Sequence, residues 1–281
     1  MALPAAAADR LSLLRGTAAR HSILIASVST LVVLAALVVL FLTAPGAPRI
    51  RDAFFSPPDF ADSAGMVWDG FVINIEMMLA AEAIVLVWAL IIAVARSIPG
   101  PAAFPLRALA IIYVDVFRGI PLILVVFILG LGAPALGISW LYTRNPFIYG
   151  LASLVLVYSA YVAEVYRAGI ESVHSSQVAA ARALSLSHFQ SLRYVVVPQA
   201  VRRVIPPLLN DFISLQKDTA LVSLLGVLES ARQAQSYAAV TFNFTGYTVA
   251  AVYFLVLTIP LARFTDYLIE RDRRRMRVLG G

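Results

Sequence analysis

Ionisable side chains interrupt the long apolar runs of this chain at Glu76, Glu82, Asp115, Arg118, Glu164, Arg167, Asp211, Lys217, Asp218 and Glu229. A charge facing lipid is costly, so such residues face a bundle interior, a wet cavity or the interface. As a set they describe a polar route for a charged or zwitterionic solute. Singly, each also fits a helix-end residue or a structural ion pair. Arg118 and Glu164 carry opposite charges and, with Asp115 and Asn210, are the candidates for meeting the solute. Arg118 stands just before a break at Gly119 and Pro121. Proline in a membrane helix frees backbone groups, and such a break can line a cavity. Pro206-Pro207 reads as a helix start.

Other chemistries lack their parts. A phosphate-binding loop needs G-x-x-x-x-G-K-[ST], but the sole lysine is Lys217, with no glycine loop before it and Asp218 after it. ATP hydrolysis, with its Mg, therefore belongs to another polypeptide, and no cofactor is expected in this chain. A nucleophile elbow G-x-S-x-G is absent, and His21, His174 and His188 all flank or leave the apolar runs, which argues against an intramembrane protease. With no cysteine, disulfides, thiol catalysis and cysteine metal sites are excluded. The net charge of +6 does not point to nucleic acid, because the basic residues sit in the gaps and tails where membrane topology wants them.

The elements that position these residues are membrane helices. Of 281 residues 60% are hydrophobic and 14% charged, against about 25% charged in soluble domains, and the mean hydropathy is +0.85. The apolar runs predict an all-α polytopic protein with about six spans, at roughly 23–43, 68–95, 108–132, 147–168, 205–231 and 247–269. The first run exceeds a secretory h-region of about 7–15 residues, so it reads as a retained span. Arginines on one side (Arg10, Arg15, Arg20, Arg96, Arg107, Arg182, Arg193, Arg202, Arg203 and the tail from Arg271) outnumber Arg49, Arg51 and Arg144 on the other, where Arg232 also stands at a span edge. The positive-inside rule then places both termini in the cytoplasm. Three segments follow: residues 1–66 with an extra first helix and an acidic, proline-rich outer loop, a core at 67–270, and a basic tail at 271–281.

Between the fourth and fifth spans, residues 174–203 are polar. Ser175 or Ser176 is a suitable helix cap, and Gln177 to Leu186 is rich in strong helix formers. A short cytoplasmic helix with Val178, Ala181, Leu184 and Ser185 on one face suits docking into a partner's groove. The same spacing fits a surface helix lying on its own bundle.

The stretch Gln177-Val-Ala-Ala-Ala-Arg-Ala-Leu-Ser-Leu-Ser, followed by Val197-Pro-Gln-Ala-Val-Arg, resembles the EAA loop of bacterial ABC importer permeases. Tyr113-Val-Asp-Val-Phe-Arg-Gly-Ile-Pro-Leu is similar to the Y-x-E-x-F-R-G-T-P-L segment of the polar-amino-acid branch. Ala160-Tyr-Val-Ala-Glu-Val-Tyr-Arg-Ala-Gly, Pro206-Pro-Leu-Leu-Asn and Leu215-Gln-Lys-Asp-Thr-Ala-Leu resemble its further motifs, in the family's order. The match runs roughly from Gly70 to Arg271, so the first span and acidic loop lie outside it.

The resemblance implies the type I importer permease fold seen in methionine permeases, in the bacterial inner membrane. It implies import of a polar amino acid of the glutamate, glutamine, aspartate or histidine class. The implied partners are a cytoplasmic ABC ATPase dimer, an extracytoplasmic solute-binding protein and a second permease subunit. It assigns Gln177, Ala180, Ala181, Arg182, Leu184 and Leu186 to the helix that couples to the ATPase. Ala179 stands for the family's glutamate, Ser185 for its glycine, Asn74 for threonine and Ala220 for serine. Loss of the glutamate favours a heterodimer whose other permease keeps it. The alternative reading, an ion-coupled secondary transporter, predicts an internal repeat, and none is visible.

Overall fold

The computed structural model describes residues 25–139 and 141–279, all helical in their regular parts. Arg10, Arg15, Arg20 and His21, the first two residues of the first expected span, and the last two of the basic tail fall outside the described residues. The chain forms two units, Met1–Ala53 and Phe54–Gly281. The described part of the first carries α1 (Ile25–Thr43), whose apolar side chains are exposed all round, and enters α2 (Ala47–Phe54).

The second unit is a helical bundle. It comprises α3 (Pro57–Ser97), α4 (Phe104–Gly119), α5 (Leu122–Phe127) with a π-helical turn (Ile128–Gly132) and α6 (Ala133–Ala135), and α7 (Pro146–Glu171). After α7 come α8 (Ser175–Ala183), α9 (His188–Ser191), a π-helical turn (Leu192–Val196) and α10 (Val197–Asp218). A 3-10 segment (Thr219–Leu225), α11 (Ser230–Thr241) and α12 (Thr245–Leu279) complete it.

Helices α3 and α7 form the most extensive pair. Asn74, Met77, Met78, Ala81, Val85, Ala89 and Ile92 are buried along α3, at the three- and four-residue steps that keep one face inward. Met77, Ala81, Val85, Ala89 and Ile92 among them meet Leu154, Tyr158 and Val162 of α7, with Leu215 and Val222 closing the cluster. Lipid is as apolar as leucine, so close packing and interhelical hydrogen bonds hold membrane helices together, and small residues let backbones approach. Gly169 and Gly150 of α7 supply that approach. A Cβ at Gly169 would lie 2.1 Å from Val204 Cγ1, and one at Gly150 would lie 2.2 Å from Val222 Cγ1.

The expectation of about six spans is met only in part. Among the described residues four helical runs are long and apolar enough to cross a membrane, Ile25–Thr43, Ala47–Ser97, Pro146–Glu171 and Thr245–Arg271, and a bent pair can make a fifth. That pair is the expected third span. Phe104–Gly119 and Leu122–Ala135 meet at 106°. Ile120 between them is extended (φ −98°, ψ 129°), as the residue before a proline prefers. The expected fifth span at 205–231 is not one apolar helix. Its first part belongs to α10, which carries Arg202, Arg203, Asp211, Lys217 and Asp218. The chain then tightens to a 3-10 turn, reverses at Gly226 (φ +83°) and restarts as α11.

Pro206 and Pro207 do not start a helix. They lie inside α10, while Pro198 occupies its first turn. The preceding π-helical turn makes α9 and α10 one continuous helical path.

Candidate functional site

The helix break builds one wall of a cavity. Leu122, the first residue after the bend, lines a space of about 350 Å³ together with Val157, Tyr158 and Tyr161 of α7 and Asp211, Ser214 and Asp218 of α10. That volume lies within the range of small-molecule sites, about 300–1,000 Å³. Steps of three and four residues put Asp211, Ser214 and Asp218 on one face of α10. Tyr158 donates its hydroxyl to Asp218 Oδ2 at 2.8 Å, which fixes that carboxylate against α7. Asp211 Oδ2 is buried and has no hydrogen-bond partner among the described residues. Glu82 of α3 lies near enough for its carboxylate to repel that of Asp211.

A second cluster lies beside this cavity, on α3, α4 and α7. Arg96 donates to Glu164 Oε2 at 2.7 Å, and Arg167 donates to both Glu164 oxygens and to Glu171. Arg118 stands 4.0 Å from Glu164 and keeps 42% of its side chain exposed. Its guanidinium lies 5.7 Å from the ring centre of Tyr161, a cavity-lining residue. Arg118 thus joins the ionic cluster to the cavity, while Glu164 is already satisfied by Arg96 and Arg167.

The sequence candidates divide accordingly. Arg118 and Glu164 come together, but Asp115 is exposed on α4 and does not line the cavity. Asn210 is exposed on α10 beside Asp211, outside the lining. Tyr158, Tyr161 and Ser214 line the cavity without being singled out by the sequence, which gives Asp211 and Asp218 only among the other intramembrane charges. The signal available for α10 was the spacing Asp211, Ser214, Asp218.

A further polar constellation is structural. The Asn74 amide donates to Thr219 Oγ1 and to Glu229 Oε2, each at 3.0 Å, and its carbonyl oxygen accepts from Ser230 N at 3.1 Å and Ser230 Oγ at 2.7 Å. Glu229 caps α11 by accepting from Ala231 N and Arg232 N. The departure at Asn74 therefore sits inside a satisfied buried network.

The short helix α8 is capped by His174, whose Nδ1 accepts from Ser176 N at 3.2 Å, and not by either serine expected for the role. It ends in a Schellman motif: Ser185 N donates to Arg182 O and Leu186 N to Ala181 O. Ser185 takes φ +61°, the left-handed conformation that glycine adopts without cost. Gln177, Ala180, Arg182 and Leu184 are exposed, Leu184 at 78%. Ala181 is buried against its own chain and Leu186 is half-buried. Ala179, at the departed glutamate position, is exposed.

A broken helix beside a polar cavity, in a bundle with apolar spans and an exposed short helix, defines a helical membrane transport subunit. Residues 101–274 match the family described as "Binding-protein-dependent transport system inner membrane component". Over 212 residues the chain is 34% identical to a probable glutamine ABC transporter permease protein of Bacillus subtilis (strain 168), covering 75% of this chain and 94% of that relative. The crystal structure of an amino acid ABC transporter with histidines contains a chain of similar fold, with a TM-score of 0.69 and 30% identity, covering 75% of this chain and 96% of that one. The methionine ABC transporter MetNI, in an inward-facing form, shares the fold with a TM-score of 0.58 at 17% identity, over 78% of this chain and 99% of its own. The chain belongs to the binding-protein-dependent transport family and is a membrane-spanning permease subunit with the type I importer fold.

Proposed function

We propose that this subunit passes a polar amino acid inward through the bundle, driven by a separate cytoplasmic ATPase dimer and fed by an extracytoplasmic solute-binding protein. The observation that carries the reading is the cavity between α5, α7 and α10, which has a lightly engaged guanidinium, Arg118, at its margin and the unpartnered Asp211 Oδ2 in its wall. A zwitterion needs one site for its carboxylate and another for its ammonium. Arg118 supplies the first, since guanidinium pairs well with carboxylate, and Asp211 the second. Glu164 then serves the arginines around it and not the cargo. The names of the relatives, a glutamine permease and an amino acid transporter, support the solute class.

The ATPase docks on α8 through Leu184 with Gln177, Ala180 and Arg182, and Ala181 and Leu186 hold the helix to the bundle. On this reading α8 lies in the cytoplasm, and the arginine distribution supports a cytoplasmic position for both termini. The second permease is a related chain that keeps glutamate at the position held here by Ala179. A charge-assisted hydrogen bond at such a contact contributes about 1.5–3 kcal/mol, so losing it in both subunits matters more than losing it in one.

The test is reconstitution in liposomes with the ATPase and binding protein, with and without the second permease. ATP-dependent accumulation of an amino acid is expected only with all partners present. Uptake that follows an ion gradient at constant ATP would replace the importer reading by the ion-coupled one. Full uptake with this chain as the only permease would overturn the heterodimer.

A further inference from the structure

We propose that the amino acid held in this cavity carries a cationic side chain, as lysine, arginine or protonated histidine does. The inference rests on the transport reading above and refines its cargo.

The charged side chains lining the cavity are both carboxylates, Asp211 and Asp218. They stand seven residues apart on α10, about 10.5 Å of helical rise. One ammonium group therefore does not meet both at contact distance. Asp218 is anchored by Tyr158 at 2.8 Å, a neutral donor that orients the carboxylate without cancelling its charge. Asp211 has a buried oxygen with no partner among the described residues. Ionised groups at membrane depth are retained where they pair with one another or with cargo.

Charge counting separates the candidate solutes. The cargo carboxylate occupies the exposed side of Arg118. The α-ammonium answers one aspartate. A neutral side chain such as that of glutamine leaves the other uncompensated, whereas a second positive charge answers it. The aromatic walls favour the same choice. Tyr158 and Tyr161 stand with ring centres 6.3 Å apart, and ring faces attract ammonium and guanidinium groups. Tyr161 already holds one guanidinium, that of Arg118.

Equilibrium binding to the assembled transporter, in lipid nanodiscs and without the binding protein, isolates this site from the selectivity of its feeder. Radiolabelled lysine, arginine, histidine and glutamine are the probes, at neutral pH and again at mildly acidic pH for histidine. A cationic amino acid is expected to bind about tenfold or more tighter than glutamine, the scale of a hydrogen bond to a charged group. Asp218→Asn, which leaves the ammonium site at Asp211 in place, is expected to erase that preference by weakening the cationic probes about tenfold on the same scale. Asp218→Glu keeps the charge and is expected to keep the preference. Asp211→Asn removes the ammonium site and is expected to weaken every probe. Co-elution of each variant with the ATPase confirms assembly, and the comparison of the cations with glutamine on the unaltered transporter decides the proposal should Asp218→Asn fail to assemble. Glutamine binding as tight as the cations, or equal weakening of all probes by Asp218→Asn, would overturn the charge assignment. Saturable binding of none of them would overturn the cavity as a cargo site altogether.

Discussion

The Asn74 amide donates to the Glu229 carboxylate across 3.0 Å, tying the middle of α3 to the cap of α11. Both residues are buried, and the same Asn74 side chain also serves Thr219 and Ser230. Removing it leaves buried groups without partners, each costing about 1–3 kcal/mol. Asn74→Leu is expected to lower the thermal midpoint in detergent sharply. Asn74→Thr, which supplies a hydroxyl able to donate and accept, is expected to lower it less. Equal midpoints for both variants and the parent would show that the network contributes nothing.

Ser185 ends α8 in the left-handed region, where a residue with a Cβ is strained by about 1–2 kcal/mol. Ser185→Gly is therefore expected to stabilise the α8 terminus by about 1 kcal/mol, in line with the preference for glycine at this position of a helix end. Hydrogen exchange of the Leu184 to Leu186 amides is the direct measure, with slower exchange expected in the variant. Faster exchange would show that glycine's extra freedom in the unfolded chain outweighs the strain.

Gly70 and Gly65 lie on the same helix in opposite circumstances. A Cβ at Gly70 would come within 2.6 Å of the Glu229 carbonyl carbon and the Ser230 nitrogen, whereas one at Gly65 meets nothing within 4 Å. Backbone cannot rotate aside, so Gly70→Ala is expected to destabilise by about 1–3 kcal/mol. Gly65→Ala is expected to stabilise by up to about 1 kcal/mol through helix propensity. Thermal melting of the two variants side by side reads the difference in sign.

Leu184 is exposed while Ala181, one turn earlier, is buried at 4%. Leu184→Asp is expected to leave membrane insertion and melting intact and to abolish co-purification of the ATPase, because an unpaired charge in a helix-in-groove contact is costly. Ala181→Asp is expected to damage the permease itself. Normal ATPase recovery with Leu184→Asp would show that this face is not the dock.

Glu164 and Arg118 are expected to respond differently. Glu164 takes hydrogen bonds from Arg96 and Arg167, so Glu164→Gln weakens bonds between charged groups and is expected to cost about 2 kcal/mol of stability. Arg118 sits 4.0 Å away with 42% of its side chain exposed. Arg118→Met is expected to change stability by no more than about 0.5 kcal/mol, as for other weakly engaged sites, yet to lower uptake about tenfold through loss of a carboxylate partner. Melting curves and uptake rates on the same preparations separate the two roles. Unaltered uptake by Arg118→Met would remove it from the route.

By itself the sequence determined the class of this protein. Apolar length and arginine placement are one-dimensional properties, and they suffice to identify a polytopic helical membrane chain. The ordered motifs around Arg118, Glu164, Gln177 and Lys217 carried the family in the same way, since each is local. Number and shape of the spans were not local. Pro121 signalled a break, but its 106° bend depends on where α5 packs, and the charges of α10 are sheltered by neighbours far away in the chain. Tertiary structure also sorted the polar residues. Asn74 and Glu229, 155 residues apart, satisfy each other, as do Arg96 and Glu164, 68 apart. Asp211, no different in type, is left with a buried oxygen that has no partner among the described residues. A side chain's charge is written in the sequence, but whether that charge is spent on the fold or kept for cargo depends on which helices close around it.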